Sequence, residues 1–226
     1  EGGAGMSIAV LDLALSVAAA PDVPDLKWMG ESVRHGGNVV VLMAEDDLDE
    51  LHLRLETLDP DGRRRAAAAD RLTVITQDDA GGSLPIVNPN RSGESVPTQS
   101  WLRTREAILK VPDLRLVVDD TQNATMSGEE NSAGVIGDYY RAIGPLCSAT
   151  GAALLVTHHM RKQPEPIRSP QDAHDAIRGS VALPAANRAV ITIWAAHDYE
   201  KQSAPPSAID PCTAESALVR RRDQSE

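Results

Sequence analysis

Along the chain, apolar runs closed by turn-forming residues alternate with stretches whose apolar positions recur at helical spacing. That alternation is expected of repeated βα units. Residues 7–20 carry the first long apolar stretch and read as a helix interrupted by Asp12 and Ser16. Residues 38–44 (NVVVLMA) are almost wholly apolar, as in a strand covered on both faces of a parallel sheet. The acidic run from Glu45 to Glu50 opens a helix reaching Leu58, its carboxylates at the positive end. Residues 71–76 form a second strand, and residues 78–97, rich in Gly, Pro, Asn and Ser, a long surface loop. A helix over 101–109 leads to a third buried strand at 114–118, which ends at Asp119 and Asp120. A polar loop over 121–132 precedes a helix over 133–149, with Val135, Ile136, Ile143 and Leu146 apolar and Gly151 as terminator. Residues 152–157 (AALLVT) are the fourth strand and run into His158 and His159. A Pro-containing polar loop at 163–174, a short helix at 177–186 and a last strand at 188–194 follow. From Tyr199 the composition turns polar and Pro-rich, which predicts a disordered tail. The expected fold is α/β, a mainly parallel twisted sheet flanked by helices, in one domain over 1–198 with 199–226 as the tail.

In open α/β sheets ligands bind beyond the C-terminal ends of the strands. Glu45, Asp119, Asp120, His158 and His159 all stand where a predicted strand runs out, which makes them candidates for one site. The two histidines do not read as a metal pair. Neighbours on an extended chain point to opposite faces, and no Cys-x-x-Cys or His-x-x-x-His partner lies nearby.

Composition narrows the picture. With 226 residues, 42% hydrophobic and 24% charged, the chain has the balance of a water-soluble domain with a substantial core. No apolar run reaches the roughly 18 residues that span a bilayer, so no membrane partner is expected. Two cysteines, Cys147 and Cys212, are too few for a disulfide framework and read as reduced thiols of a cytoplasmic protein. The net charge of −11 argues against broad coating of nucleic acid, although a local basic surface remains compatible with it. The absence of Phe and the presence of only three Trp and three Tyr remove base-stacking platforms as an argument for DNA. The short basic runs at 63–65 and 220–222 read as solvated surface.

The opening segment carries the most specific chemistry. Glu1-Gly2-Gly3-Ala4-Gly5-Met6-Ser7 runs straight into the first helix and resembles the glycine-rich phosphate loop G-x-x-x-x-G-K-[S/T]. In that pattern backbone amides cradle phosphates, lysine neutralises the β/γ oxygens and the hydroxyl ligates Mg²⁺. Gly5 and Ser7 stand where the pattern needs them, while Met6 takes the lysine position. The first glycine of the pattern and the strand before it would precede residue 1, so the sheet is expected to be truncated at that strand.

Five segments in order, GGAGMS, VVVLMAEDDLDEL at 39–51, LRLVVDDTQN at 114–123, LLVTHHMRK at 154–162 and AIRGSVALPAANRAV at 176–190, resemble RecA-like ring ATPases. The resemblance is to the RepA/DnaB-like hexameric helicase group, also described as AAA family ATPases. It implies a RecA-like P-loop NTPase that binds ATP with Mg²⁺, assembles as a homo-oligomeric, hexameric ring and takes single-stranded DNA as a candidate partner. It further implies an ATPase of helicase type, in plasmid, phage or mobile-element replication, whose hydrolysis Met6 would impair.

By the same resemblance, Gly2, Gly3, Ala4, Gly5 and Met6 wrap the phosphates and Ser7 holds Mg²⁺. Glu45 is the general base, the alternative being a cap of the acidic helix behind it. Alignment of D-x-x-Q-N makes Asp119 the acid that orders the Mg²⁺-bound water, whereas counting strand residues selects Asp120; alignment slightly favours Asp119. His158 or His159 reads the γ-phosphate, or serves structure alone. Arg178 and Arg188 are candidates for a finger inserted into the neighbouring subunit's site, against plain surface arginines. Arg161 and Lys162 are candidate DNA-backbone contacts. The competing readings are a nucleotide-binding pseudo-ATPase that assembles without turnover and a RecA-like NTPase that uses no DNA.

Overall fold

The computed structural model describes residues 5–82, 84–127, 132–160, 167, 169–177, 182–195 and 214–220. In chain order its elements are α1 (Met6–Ala19), β1 (Lys27–Trp28), β2 (Glu31–Ser32), β3 (Asn38–Met43), α2 (Leu48–Leu58), α3 (Arg63–Ala68) and β4 (Leu72–Thr76). There follow β5 (Val87–Pro89), β6 (Ser95–Pro97), α4 (Gln99–Ile108), β7 (Leu114–Asp120), α5 (Gln122–Thr125), α6 (Ala133–Thr150) and β8 (Ala153–Val156). The last are α7 (Pro170–Asp175), α8 (Ala182–Ala186), β9 (Ala189–Ala195) and β10 (Ala214–Arg220).

Four strands form the central sheet in the order β4-β3-β7-β8, all parallel. Because side chains alternate along a strand, β3 and β7 feed two separate cores. Val39, Val41, Met43, Leu116 and Val118 pack with α1, Leu51 of α2 and Ala68 of α3. Val40, Leu42, Leu114 and Val117 pack with Trp101 and Ile108 of α4 and with Ile136, Tyr139, Ile143 and Leu146 of α6. The crossover from β3 to β4 runs one way along the sheet with its helices on the first face. The crossover from β7 to β8 runs the other way with α6 on the second, as right-handed connections demand.

Helix α1 lies antiparallel to β3. Its C-terminal end touches the start of that strand, where Gly37 N donates to Val17 O at 3.1 Å. A Cβ on the neighbouring Gly36 would come within 2.5–2.9 Å of Pro21, Ala20 and Val17, so only glycine admits this approach. Fourteen helical residues rise about 21 Å, close to the length of a six-residue strand. The N-terminus of α1 is therefore carried to the C-terminal edge of the sheet. The two polar residues that break its apolar run have a structural use, because Arg64 Nη1 donates to Asp12 Oδ1 at 2.6 Å and to Ser16 Oγ at 3.1 Å. Asp59, almost fully buried, accepts from the amides of Arg64 and Arg65 and lies 3.7 Å from the Arg64 guanidinium. Arg64 at the start of α3 is thus a clamp onto α1, which corrects its reading as solvated surface, while Arg63 beside it is exposed.

Other departures have local causes. The 78–97 segment holds the antiparallel hairpin β5-β6. Asn90 Oδ1 closes it by accepting from Ser92 N (2.8 Å) and Glu94 N (3.0 Å), and Ile86 and Val87 beside it are buried. Residues 122–125 are the short helix α5 inside the expected polar loop, with Gln122 and Thr125 buried. Ser169 caps α7 within the expected 163–174 loop, its side chain accepting from Asp172 N at 3.1 Å. The helix expected from residue 177 begins at Ala182, and Ile177 instead bridges Met160. Strand β9 pairs antiparallel with β10, which lies within the segment that composition marks as a disordered tail. The local run Ala217-Leu218-Val219 departs from that average polarity and has strand-forming residues.

Candidate functional site

The C-terminal ends of β3, β7 and β8 bring together Glu45, Asp120, Thr121, Thr157 and His159. Ala44 N donates to Asp120 O at 2.8 Å, which holds the two strand ends side by side. Thr121 Oγ1 donates to Glu45 Oε1 at 2.7 Å, and His159 Nε2 lies 3.7 Å from the same oxygen. The Glu45 side chain is 44% exposed, so one held oxygen is combined with access from solvent. Glu45 does not cap α2; that residue is Asp47, whose carboxylate accepts from Glu50 N at 2.9 Å. From β4, Gln77 Nε2 donates to the carbonyl of Ala44 and so braces the backbone that delivers Glu45.

Strand alternation separates the two aspartates. Asp119 follows Val117 toward α6, where Tyr139 donates to Asp119 Oδ2 and Thr125 Oγ1 donates to the same oxygen at 2.7 Å. It is fully buried, and burial pushes its carboxyl up to about 6 against the lowering effect of those two donors. Burial likewise raises the Tyr139 phenol, with the Asp119 charge adding to the effect. Asp120 follows Val118 toward the α1 face, and its Oδ1 accepts from Thr157 Oγ1 at 2.5 Å. Asp119 thus stands on the sheet face opposite α1, and Asp120, the acid that counting strand residues selects, on the α1 face. Nearby, Asp46 has a raised carboxyl through burial, opposed by Arg54 and reinforced by the Asp120 charge. Arg54 pairs with both Asp46 and Glu50.

Gly5, Met6 and Ser7 open α1 on the same face and edge as Asp120. Gly5 takes the N-cap at φ 75°, a left-handed conformation that suits glycine, and it has no side chain to cap the first turn. Ala9 N reaches Gly5 O at 2.9 Å, while the amides of residues 6–8 precede the first intrahelical bond and no acidic residue stands in that turn. Amides that no side chain among the described residues caps, at the positive end of a fourteen-residue helix, fit an anion such as phosphate. Two carboxylates on the facing strand ends fit the ordering of a divalent ion and its water. Met6 brings no charge to the cationic position of the phosphate-loop pattern, and the two lysines among the described residues, Lys27 and Lys110, are exposed on β1 and behind α4.

His158 is half-buried at the end of β8 and lies one residue before the histidine that meets Glu45. Arg188 is exposed immediately before β9. Gly2, Gly3, Ala4, Arg161, Lys162 and Arg178 lie outside the described residues. Sequence reasoning missed Thr121, Thr157, Gln77 and Tyr139. The threonines follow the acids or precede the histidines directly, but hydroxyls beside a strand end are too common to single out. Tyr139 carried no signal beyond helical spacing. Among the described residues no helix is long and apolar enough to cross a membrane, and no cluster of His, Cys, Asp and Glu could by itself hold a metal ion.

Comparison with known protein families matches residues 1–165 to the AAA domain. The match takes in the opening loop, all four strands of the parallel sheet and the strand ends that carry Glu45, Asp120 and His159. With an α/β RecA-like P-loop fold and nucleotide-binding, ATPase-type function, this chain belongs to the AAA domain family.

Proposed function

We propose that this chain is an ATP-binding ATPase of helicase type whose hydrolysis is weakened by Met6. The observation that carries the reading is the convergence, on one face and one edge of the sheet, of the uncapped α1 amides with Asp120 and Glu45. ATP enters with its phosphates against the first turn of α1, where Ser7 offers a hydroxyl to Mg²⁺. Mg²⁺, if bound, would be held by Ser7 and, through water, by Asp120, and would offset the charge that develops on the phosphates. Asp120 orders the metal's water from the end of β7. Glu45, held by Thr121, accepts a proton from the attacking water, and His159 beside it senses whether the γ-phosphate is present. The hexameric ring, a finger from Arg188 or Arg178, single-stranded DNA as partner and a role in plasmid, phage or mobile-element replication come from the resemblance to the RepA/DnaB-like group.

Methionine preserves the length and apolar stem of lysine but has neither charge nor N–H donor. Loss of one preorganised donor in such a site costs about 10² to 10³ in rate, roughly 3–4 kcal/mol. Met6 therefore also favours a second reading, a pseudo-ATPase that binds nucleotide and assembles without turnover. Steady-state ATP turnover and ATP affinity of this chain beside Met6→Lys test both readings, with and without single-stranded DNA. The expected result is tight binding by both proteins and turnover at least about a hundredfold higher in the lysine variant. Equal rates would refute the idea that Met6 limits hydrolysis, and absence of nucleotide binding would refute the assignment as a whole.

A further inference from the structure

We propose that Thr157 is a positioning residue that aims the Asp120 carboxylate at the metal-binding side of the site; this rests on the nucleotide reading above. Asp120 is almost fully buried, and a buried carboxylate needs donors to stay charged in place. Thr157 Oγ1 donates to Asp120 Oδ1 at 2.5 Å. The donor is itself fixed. Thr157 is almost fully buried, its amide donates to Asp119 O at 3.0 Å and its carbonyl accepts from Gln122 N at 3.1 Å. The ladder that pairs Asp119 with Val156 therefore continues by one residue past β8. That residue falls on the α1 face by strand alternation, because Leu155 before it packs with α1. A β-branched side chain has few rotamers, so a locked backbone also locks the direction of the hydroxyl.

The position has a further consequence. Two residues on, His159 lies beside Glu45, so one short segment sets Asp120 through its hydroxyl and borders the proposed base through its imidazole. Thr157 touches neither nucleotide nor metal in this scheme and acts only through Asp120. Its loss should therefore weaken the part of nucleotide affinity that depends on Mg²⁺ and leave the metal-free part alone.

The test measures ATP affinity of the full chain by calorimetry in Mg²⁺ and in EDTA, for wild type, Thr157→Val, Thr157→Ala and Thr157→Ser. The gain in affinity on adding Mg²⁺ should fall about tenfold or more in the valine and alanine variants. It should stay near the wild-type value in the serine variant, and the EDTA values should agree within about threefold across the set. Thermal melting shows which variants fold, and alanine decides if valine does not. Wild-type Mg²⁺ gain retained in valine or alanine overturns the inference alone, as does an equal loss in serine, which would mark a packing effect. A wild-type protein whose ATP affinity ignores Mg²⁺ overturns the metal-ordering role of Asp120 and the inference with it, whereas one that binds no ATP in either buffer overturns the nucleotide reading itself.

Discussion

Asp119 offers the sharpest quantitative check on this architecture. Its carboxyl is fully buried against α6 and α5, accepts from Tyr139 and Thr125, and is pushed up to about 6. Its ordinary value is 3.8, so the folded protein holds this proton over about two pH units after the unfolded chain has released it. A shift of that size corresponds to about 3 kcal/mol. The sign follows from which state binds more protons. Below pH 4 the group is protonated in both states and its favourable contribution is complete. As pH rises through about 6 the folded protein must carry a buried carboxylate, and that contribution is lost. Asp119→Asn cannot titrate, yet it keeps a carbonyl oxygen that accepts from both donors. The stability of the wild type relative to this variant should therefore fall by up to about 3 kcal/mol between pH 4 and pH 7. Urea unfolding of the nucleotide-free proteins, followed by tryptophan fluorescence at several pH values, measures the difference; all other carboxylates titrate in both proteins and cancel. A difference that stays flat with pH, or that grows toward neutrality, would show that Asp119 is solvated and ionised in the folded state. It would then remain a contender for the metal-ordering role assigned above to Asp120.

Two further outcomes are expected. Arg64→Met keeps the side-chain length but strips Asp12 and buried Ser16 of a charged donor and buried Asp59 of an ion-pair partner, and should cost about 3 kcal/mol in urea unfolding; a change below about 0.5 kcal/mol would mean that the clamp between α1 and α3 adds nothing. In the Met6→Lys background, Thr121→Val removes the hydroxyl that holds Glu45 Oε1. Turnover should fall about tenfold to a hundredfold while ATP affinity is unchanged, since a charged-group hydrogen bond is worth roughly 1.5–3 kcal/mol; loss of affinity instead would place Thr121 in binding.

Much of the scaffold was legible because burial on both faces leaves a plain mark. The run 38–44 can be little other than a central strand, and it became β3 with Val39 through Met43 buried. Gly151 ends α6 in the left-handed conformation that its identity predicts. Strand-end logic expects Glu45, Asp119, Asp120, His158 and His159 at one edge without knowledge of the strand order, because parallel strands share that edge by construction. Short elements were less legible. The hairpin β5-β6 depends on a side-chain turn at Asn90 inside a segment whose composition reads as loop, and α7 on a single capping serine.

What the amino-acid order determined by itself is a set of local facts: which runs are buried, where they stop, and which acids and hydroxyls stand at the stops. What only the tertiary structure decided is which face each of those groups shares. Adjacent residues on a strand point to opposite sides, so Asp119 and Asp120 are equivalent until α1 is placed on one face and α6 on the other. That placement follows from right-handed crossovers and strand order, which are properties of the whole chain. The same long-range packing brings Thr157 to Asp120 from 37 residues away and Thr121 to Glu45 from 76. Contacts of that span leave no periodic trace in sequence, because they form between strands that meet only once the sheet is assembled.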